Sequence, residues 1–192
     1  HNDNGLQFDN VNSFNLDEYY PISPNHKDSY RRFMNENLFD HINIPESQIY
    51  FPNGLADDAD SECRLYEEAI HARGGLDVLL TGIGQNTHIG FNEPPTKRCS
   101  RTRLVSLTDE TRGINSRFFE DTTSVPKKSI TMGMANILDI NAIVLIAFGH
   151  EKADAIKRVL FDEPSPEIPG AYLQEHHNKI ILVDRAAASY LS

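Results

Sequence analysis

The sequence predicts an α/β domain with a largely parallel sheet. Two short apolar runs, Leu76 to Leu80 and Ala142 to Phe148, have the length and composition of strands that are buried on both faces. Segments in which apolar residues recur at helical spacing lie between the predicted strands. Alternation of strands with helices along a chain is typical of α/β folds that contain a parallel sheet.

Size and charge narrow the class of protein. The 192 residues are predicted to form a single domain, 1–192, and the early apolar run without an initial methionine suggests a chain cut inside a larger domain. A net charge of −10 argues against nucleic acid as a partner. No apolar run approaches the roughly 18 residues of a membrane span, and Cys63 and Cys99 lack metal-type spacing. We therefore expect a cytoplasmic protein with no metal, cofactor, nucleic-acid partner or membrane partner.

The other elements follow from apolar periodicity and from residues that stop helices. A helix is predicted from His26 to Ile42, before Pro45, and a second helix from Asp58 to Ala72, before Gly74. The apolar run that begins at Leu76 is predicted to form a strand at Leu76–Thr81. The other predicted strands are Gln7–Leu16, Leu104–Leu107 and Lys179–Val183. The remaining predicted helical segments are Thr108 to Phe119, part of Ser129 to Leu138, Gly149 to Leu160, and one turn at Leu173 to His176.

A glycine-rich loop follows the predicted strand at Leu76–Thr81. Gly82, Gly84 and Gly90 allow positive φ and let the backbone lie close to a ligand. The pattern is not a dinucleotide-binding fingerprint, because Thr87 stands where the third glycine is needed. The loop is therefore a candidate for binding a small ligand.

Titratable side chains fall within this glycine-rich loop. His88 and Glu93 are five residues apart, and Asn86 lies just upstream. An imidazole and a carboxylate on such a loop suit proton transfer on a small polar substrate, although a single loop histidine is also compatible with a structural role. Asp17 follows another predicted strand, where it is either a ligand-binding carboxylate or a turn residue.

Ordered blocks of sequence extend this pattern along the chain. Phe14 to Tyr19 reads FNLDEY, and His88 to Pro94 reads HIGFNEP. These blocks resemble motifs of the glucosamine-6-phosphate deaminase family, and the resemblance covers nearly the whole chain, from Phe8 to Val183. Further blocks follow in the family's order: SRTR at 100–103, DETR at 109–112, NSRFF at 115–119 and VP at 125–126.

The resemblance implies a fold and a reaction. The fold is a three-layer α/β/α domain of the sugar-phosphate isomerase type. In the reaction, glucosamine 6-phosphate is isomerised to the ketose and loses its amine as ammonia in amino-sugar catabolism. The partner is thus a small amino-sugar phosphate, whereas the gluco or galacto configuration and a homo-oligomeric state stay open.

The resemblance also implies roles for individual residues. Asp17 resembles the base that moves a proton between C2 and C1, His88 the residue that helps to open the sugar ring, and Glu93 its orienting carboxylate. Asn86 occupies the position of a family aspartate and completes the predicted catalytic set. Arginine and lysine donors suit a phosphate, as does a helix N-terminus. The predicted substrate- and phosphate-binding residues are Glu18, Gly82, Gly84, Arg117 and Lys152.

The sequence departs from the family pattern in several places. Asn86 can hydrogen-bond but carries no charge, and Thr87 replaces a glycine. Arg103 is followed by Leu104 and Val105, so the family's allosteric Arg-x-Lys pair is incomplete. The resemblance also implies that the family's first strand and its phosphate-binding turn lie outside these 192 residues, and the 192-residue chain alone is therefore predicted to be inactive.

Two alternatives to the deaminase remain. One is a sugar-lactone hydrolase like 6-phosphogluconolactonase, which shares the fold, and the other is a non-catalytic sugar-phosphate-binding domain. The pair Asp17-Glu18 and the FNEP sequence favour the deaminase. Asp17 and His88 are predicted to lie at the carboxyl edge of one sheet, and Arg117 and Lys152 at one anion site.

Overall fold

The computed structural model describes residues 5–116, 119 and 125–191. The chain divides into two units, one made of His1–Tyr66 with Leu104–Thr131 and the other of Glu67–Arg103 with Met132–Ser192. In chain order, the described strands and α-helices are β1 (Ser13–Phe14), β2 (Asp17–Tyr20), α1 (Tyr30–Asn37), β3 (Ile49–Tyr50), α2 (Ala59–His71), β4 (Val78–Thr81), β5 (Arg103–Ser106), α3 (Asp109–Asn115), β6 (Lys128–Thr131), α4 (Met134–Leu138), β7 (Ala142–Ala147), α5 (Ala153–Phe161) and β8 (Lys179–Val183).

The first unit contains two small sheets. Strand β1 pairs with β3 in parallel, and a second sheet has the order β2-β6-β5. Strand β2 runs antiparallel to β6, with Asp17 opposite Thr131. Phe39, Ile44 and Ile49 form an apolar cluster in this unit.

The predicted strand at Gln7–Leu16 is wrong for most of its length. Only Ser13–Phe14 pairs as a strand, and Val11 is exposed at the surface. Phe8 instead packs against the apolar cluster of the first unit, and its amide donates to Oδ1 of Asn43 at 2.9 Å. The apolar residues of this segment recur every three residues rather than every two, which a half-buried strand cannot use.

The second unit is built on a parallel sheet, in agreement with the sequence prediction. Its order is β4-β7-β8, and both pairings are parallel. One face of the central strand β7 is buried, with Ile143, Leu145 and Ala147 almost inaccessible to solvent. Helix α5 buries an apolar face that includes Ile156 and Val159. The mixed α/β fold class is therefore confirmed.

The opposite face of this parallel sheet is apolar and exposed. Val78 and Leu80 on β4 are 63% and 67% exposed, and Ile180 and Leu182 on β8 are about half exposed. The facing residues of β7 between them are Val144 and Ile146, which are half-buried. Parallel sheets are normally covered on both faces, so this surface is an unusual feature of the second unit.

Helices end earlier or begin later than periodicity predicts. The segment His26–Ile42 contains α1 and then a separate 3-10 turn at Phe39–His41. Ser29 caps α1, because its side chain accepts a hydrogen bond from the amide of Arg32 at 3.1 Å. The helix predicted from Gly149 begins as a 3-10 turn at His150–Lys152 and becomes α5 only after Lys152.

Candidate active site

Asp17 lies within a strand rather than beyond the end of one. Its position in β2 makes it buried, with 8% of its surface exposed. Burial, together with the neighbouring charge of Glu18, raises the pKa of Asp17 to about 7. A carboxylate with this pKa can accept a proton near neutral pH and release it again, as a general base requires.

Glu18 points its carboxylate at the start of helix α1. Oε1 accepts hydrogen bonds from the amides of Tyr19 and Tyr30 at 2.9 and 3.0 Å, and Oε2 accepts one from the amide of Arg31 at 3.0 Å. Burial raises the pKa of Glu18, and these three amides oppose that effect. The carboxylate caps the helix and complements its dipole, so the structure gives Glu18 a structural role. A contact of Glu18 with substrate remains a prediction.

Aromatic side chains surround this strand in the first unit. The rings of Tyr19 and Tyr30 stack with centroids 5.1 Å apart, and Tyr19 Oη accepts a hydrogen bond from Asn115 Nδ2 at 3.0 Å. Burial raises the pKa of Tyr19 to about 12, and burial also raises the pKa of Tyr66 well above its usual range. These phenols therefore stay protonated at neutral pH and add no charge beside Asp17.

Residues 82–93, which we call the His88 loop, follow strand β4. A side chain on Gly84 would place its Cβ 2.2 to 2.4 Å from ring atoms of His88, so only glycine fits under the imidazole. The expectation of positive φ holds at Gly90 (60°), whereas Gly82 and Gly84 are absent from the positive-φ positions. Thr87 instead adopts a φ of 70°, which is rare for a β-branched residue.

His88 is held by the residue two positions before it. Its Nδ1 lies 2.5 Å from Oδ1 of Asn86, and the same oxygen accepts a hydrogen bond from the His88 amide at 3.3 Å. An amide oxygen can only accept, so Nδ1 carries the hydrogen and the basic lone pair of a neutral ring is on Nε2. Asn86 thus fixes the tautomer of a candidate proton-transfer group.

Glu93 lies in a tightly bonded turn at the end of the His88 loop. Glu93 is buried, and its carbonyl accepts a hydrogen bond from the hydroxyl of Thr96 at 2.6 Å. The neighbouring Asn92 is fully buried and is hydrogen-bonded by the guanidinium of Arg103 at 2.9 Å. Asn92 and Thr96 were not among the predicted site residues, although Asn92 lies in the HIGFNEP block.

Lys152 lies in a segment held by the carboxylate of Asp184, which directly follows β8. It ends the 3-10 turn directly before α5, and its amide donates to the carbonyl of Gly149 at 3.1 Å. The amide of Gly149 in turn donates to the Asp184 carboxylate, at 3.2 and 3.3 Å from its two oxygens. The amide of Ala187 donates to the same group at 2.8 Å. Asp184 was not among the predicted site residues, because it lies 35 residues from Gly149 in the chain and no local motif marks it.

The parallel sheet brings two of these segments to one edge. Strands β4 and β7 run in the same direction, so the His88 loop and the Lys152 segment both leave the sheet at its carboxyl end. Asp17 belongs to β2 of a different sheet, and the prediction that one sheet carries Asp17 and His88 is wrong. Arg117 lies outside the described residues, so its pairing with Lys152 stays a prediction.

Neither a metal centre nor a membrane span is found in the part of the chain that the structure describes. Residues 5–116, 119 and 125–191 contain no group of three or more histidine, cysteine, aspartate or glutamate side chains arranged to hold a metal ion. The same residues contain no helix with the length and apolarity needed to cross a bilayer.

Two bacterial enzymes with the same name are similar in sequence to this chain. Residues 1–182 match the family model described as glucosamine-6-phosphate isomerases/6-phosphogluconolactonase. The chain is 50% identical over 192 residues to the glucosamine-6-phosphate deaminase of Clostridioides difficile (strain 630), covering 100% of this chain and 77% of that protein. It is 44% identical over 189 residues to the deaminase of Geobacillus sp. (strain WCH70), covering 98% of this chain and 75% of that protein.

Solved structures agree with these sequence matches. A monomeric glucosamine-6-phosphate deaminase superposes with a TM-score of 0.97 at 43% identity, covering 99% of this chain and 79% of that one. The 6-phosphogluconolactonase from Thermotoga maritima has a TM-score of 0.75 at 16% identity, covering 94% of this chain and 76% of that one, and it supports the fold alone. The chain therefore belongs to the family of glucosamine-6-phosphate isomerases and 6-phosphogluconolactonases.

Proposed function

We propose that this protein is an amino-sugar phosphate isomerase and deaminase. It converts glucosamine 6-phosphate and water to fructose 6-phosphate and ammonia. The observation that carries the proposal is Asp17, a buried carboxylate whose pKa of about 7 suits the removal of a proton from carbon. The high identity to deaminases, compared with 16% to a structurally similar lactonase, supports the same choice.

Ring opening is assigned to the His88 loop. His88 Nε2 takes the proton of the C1 hydroxyl and delivers it to the ring oxygen as the bond between C1 and that oxygen breaks. Asn86 holds the Nδ1–H tautomer that this transfer needs, through the 2.5 Å contact with Nδ1. Glu93 is the orienting carboxylate of this step.

Isomerisation and loss of the amine are assigned to Asp17. Its carboxylate takes the proton from C2 of the open aldose and returns it to C1. A second proton passes from the amine nitrogen to O1, which leaves a hydroxyl at C1 and an imine at C2. Water adds to that imine, ammonia leaves, and the ketone of the product remains. A base that both accepts and returns a proton works best with a pKa near the working pH, as Asp17 has.

Phosphate binding is assigned to the segment before helix α5. Lys152 supplies the charge, and its place directly before the helix adds the favourable dipole of the N-terminus. Arg117 is proposed as the second cation. Glu18, Gly82 and Gly84 are retained as proposed substrate contacts, and Gly82 has an exposed backbone that a sugar can approach.

The proposed setting is cytoplasmic, and the proposed unit is one domain that works without a cofactor. The charge of −10 makes a local basic site necessary for an anionic substrate, and Lys152 and Arg117 are assigned that part. The oligomeric state and the choice between glucosamine and galactosamine 6-phosphate are to be measured. Sedimentation and a comparison of the two substrates address them.

Product analysis tests the proposed reaction against its alternatives. The protein in its longest natural form should release ammonia and fructose 6-phosphate from glucosamine 6-phosphate and should not hydrolyse 6-phosphogluconolactone. Lactone hydrolysis without ammonia release would favour the lactonase. Binding of glucosamine 6-phosphate without turnover would identify a non-catalytic binding domain.

Two further measurements test the assigned residues. The rate of deamination should rise with pH through about 7, where Asp17 loses its proton. Lys152→Ala should weaken binding of the sugar phosphate, whereas Lys157→Ala, an exposed lysine on α5, should not. Unchanged affinity in Lys152→Ala would reject its role in phosphate binding.

A further inference from the structure

The buried side chain of Asn92 forms hydrogen bonds with three separate segments of the second unit, at Ile89, Met132 and Arg103. Its Nδ2 donates to the carbonyl of Ile89 at 2.9 Å, within the His88 loop, and to the carbonyl of Met132 at 2.7 Å. Its Oδ1 accepts from Nη1 of Arg103 at 2.9 Å. The residue is fully buried, so loss of any of these partners would leave a polar atom in a place that water does not reach.

Arg103 holds the turn around Glu93 from both sides. One arm of its guanidinium donates to Asn92, just before Glu93, and the other lies 3.4 Å from Oγ1 of Thr96, just after it. Thr96 connects Arg103 to the backbone of Glu93, because its hydroxyl donates to the Glu93 carbonyl at 2.6 Å. The planar fork of a guanidinium is suited to reach two acceptors in fixed directions, which a lysine ammonium cannot reproduce.

We propose that Arg103 is a positioning residue for the His88 loop. It acts through Asn92 and Thr96 and sets where Glu93 and His88 stand, without touching the substrate. The proposal rests on the proposed function, because it assigns Arg103 to the support of the same acid–base loop. Arg103 is followed by Leu104 and Val105, so the sequence lacks the lysine of an Arg-x-Lys pair. Its hydrogen bonds to Asn92 and Thr96 instead indicate a structural role within this chain.

Steady-state kinetics of two variants test this role. Arg103→Ala and Arg103→Lys should lower kcat by about tenfold to a hundredfold, because small displacements of reacting groups cost that much, while KM changes little. Guanidinium ion added to Arg103→Ala should restore part of kcat. The matched control is Arg98→Ala, which removes an equal charge from an exposed pair with Glu175 and should leave kcat within about twofold.

Amide hydrogen exchange tests the same role without relying on turnover. The Gly84 amide donates to the His88 carbonyl at 2.9 Å and the Asn92 amide to the Ile89 carbonyl at 3.1 Å, so both report on the loop. Both should exchange faster in Arg103→Ala than in Arg98→Ala. If Arg103→Ala does not fold, Thr96→Val, which keeps the volume and removes only the hydroxyl link, should show the same direction more weakly.

The outcomes separate this proposal from the proposed function. Unchanged exchange of both amides would overturn the role of Arg103, as would an increase in KM with kcat preserved, which indicates a direct substrate contact. A parent protein that releases no ammonia would contradict the proposed function alone, and the exchange measurement would still decide whether Arg103 holds the loop. Faster exchange with a lower kcat, partly rescued by guanidinium, would support it.

Discussion

The imidazole of His88 and the amide of Asn86 are joined by a 2.5 Å contact between Nδ1 and Oδ1. Asn86 can orient the ring and fix its tautomer, but it contributes no negative charge to stabilise an imidazolium. An aspartate at this position would both orient the ring and stabilise its charged form, whereas Asn86 can only orient it. Activity with an amide at this position requires only the orienting function.

Asn86→Asp is expected to change an already active enzyme modestly. The added carboxylate favours a protonated His88, so the limb of the pH–rate profile that reports this group should move to higher pH, with kcat altered by less than about tenfold. The control is Gln85→Glu, which adds the same charge at the exposed neighbouring position. Activity that appears only in Asn86→Asp would instead support the binding-domain alternative.

Asp17→Asn is expected to stabilise the protein at alkaline pH. Because burial raises the pKa of Asp17 from 3.8 to about 7, the folded state holds this proton more tightly than the unfolded state, and stability falls as pH rises between those values. At pH 8 the variant should gain about 2–4 kcal/mol in free energy of unfolding, and at pH 4 almost nothing.

Urea titrations at the two pH values measure this difference between Asp17→Asn and the parent. The control is Asp40→Asn, at an exposed position, which should leave the pH dependence unchanged. An equal gain at pH 4 and pH 8 would show that the ionisation of Asp17 is not the cause. The same variant should lose deaminase activity, because an amide cannot act as the base.

Thr87→Gly is expected to stabilise the folded chain by about 1 kcal/mol. A φ of 70° is strained for threonine, and the buried Oγ1 of Thr87 has no hydrogen-bond partner. Both features lower the stability of the folded chain. Glycine removes both costs and adds a smaller one, about 0.5–1 kcal/mol, through the flexibility of the unfolded chain. Thermal unfolding measures the change. Thr102→Gly, at a buried position without positive φ, should destabilise, and a loss in both variants would contradict the strain at Thr87.

Asp184→Ala is expected to weaken substrate binding more than turnover. The carboxylate holds the Gly149 amide, which orders the segment that carries Lys152. Loss of this hydrogen bond should raise KM about twofold to tenfold. The KM of Asp184→Asn, which keeps a hydrogen-bond acceptor, should lie between the values of the parent and of Asp184→Ala. Asp162→Ala, which removes a carboxylate 3.5 Å from Arg158 near the end of α5, is the control for lost charge. If Asp184→Ala has the same KM as the parent protein, Asp184 does not contribute to phosphate binding.

The sequence predicted the elements whose signal is local. The unbroken apolar run at Ala142 to Phe148 and the shorter run at Lys179–Val183 became β7 and β8 of a parallel sheet. Thr108, the first residue of the helical segment predicted up to Phe119, caps α3 by accepting a hydrogen bond from the amide of Thr111 at 3.2 Å. In each case the residues that decide the structure lie within a few positions of one another.

Features that depend on distant partners could not be predicted. Asp17 was predicted to follow a strand, as a ligand-binding carboxylate or a turn residue. Asp17 and Glu18 instead lie within a strand, because β6, more than a hundred residues later, pairs with them. Glu18 caps a helix that begins twelve residues further on, a contact that no local rule specifies. Thr87 is the reverse case, because its own side chain disfavours the backbone conformation that the loop imposes.

The apolar outer face of the sheet β4-β7-β8 should make the self-association of this chain depend on salt. At low ionic strength, a net charge of −10 keeps copies apart. At about 1 M salt the Debye length falls to about 3 Å, so that repulsion is screened, and salts such as sulfate also strengthen the attraction between apolar surfaces. Light scattering should therefore increase with ammonium sulfate, and Leu80→Lys, which places a charge on the edge strand β4 of this face, should suppress the increase.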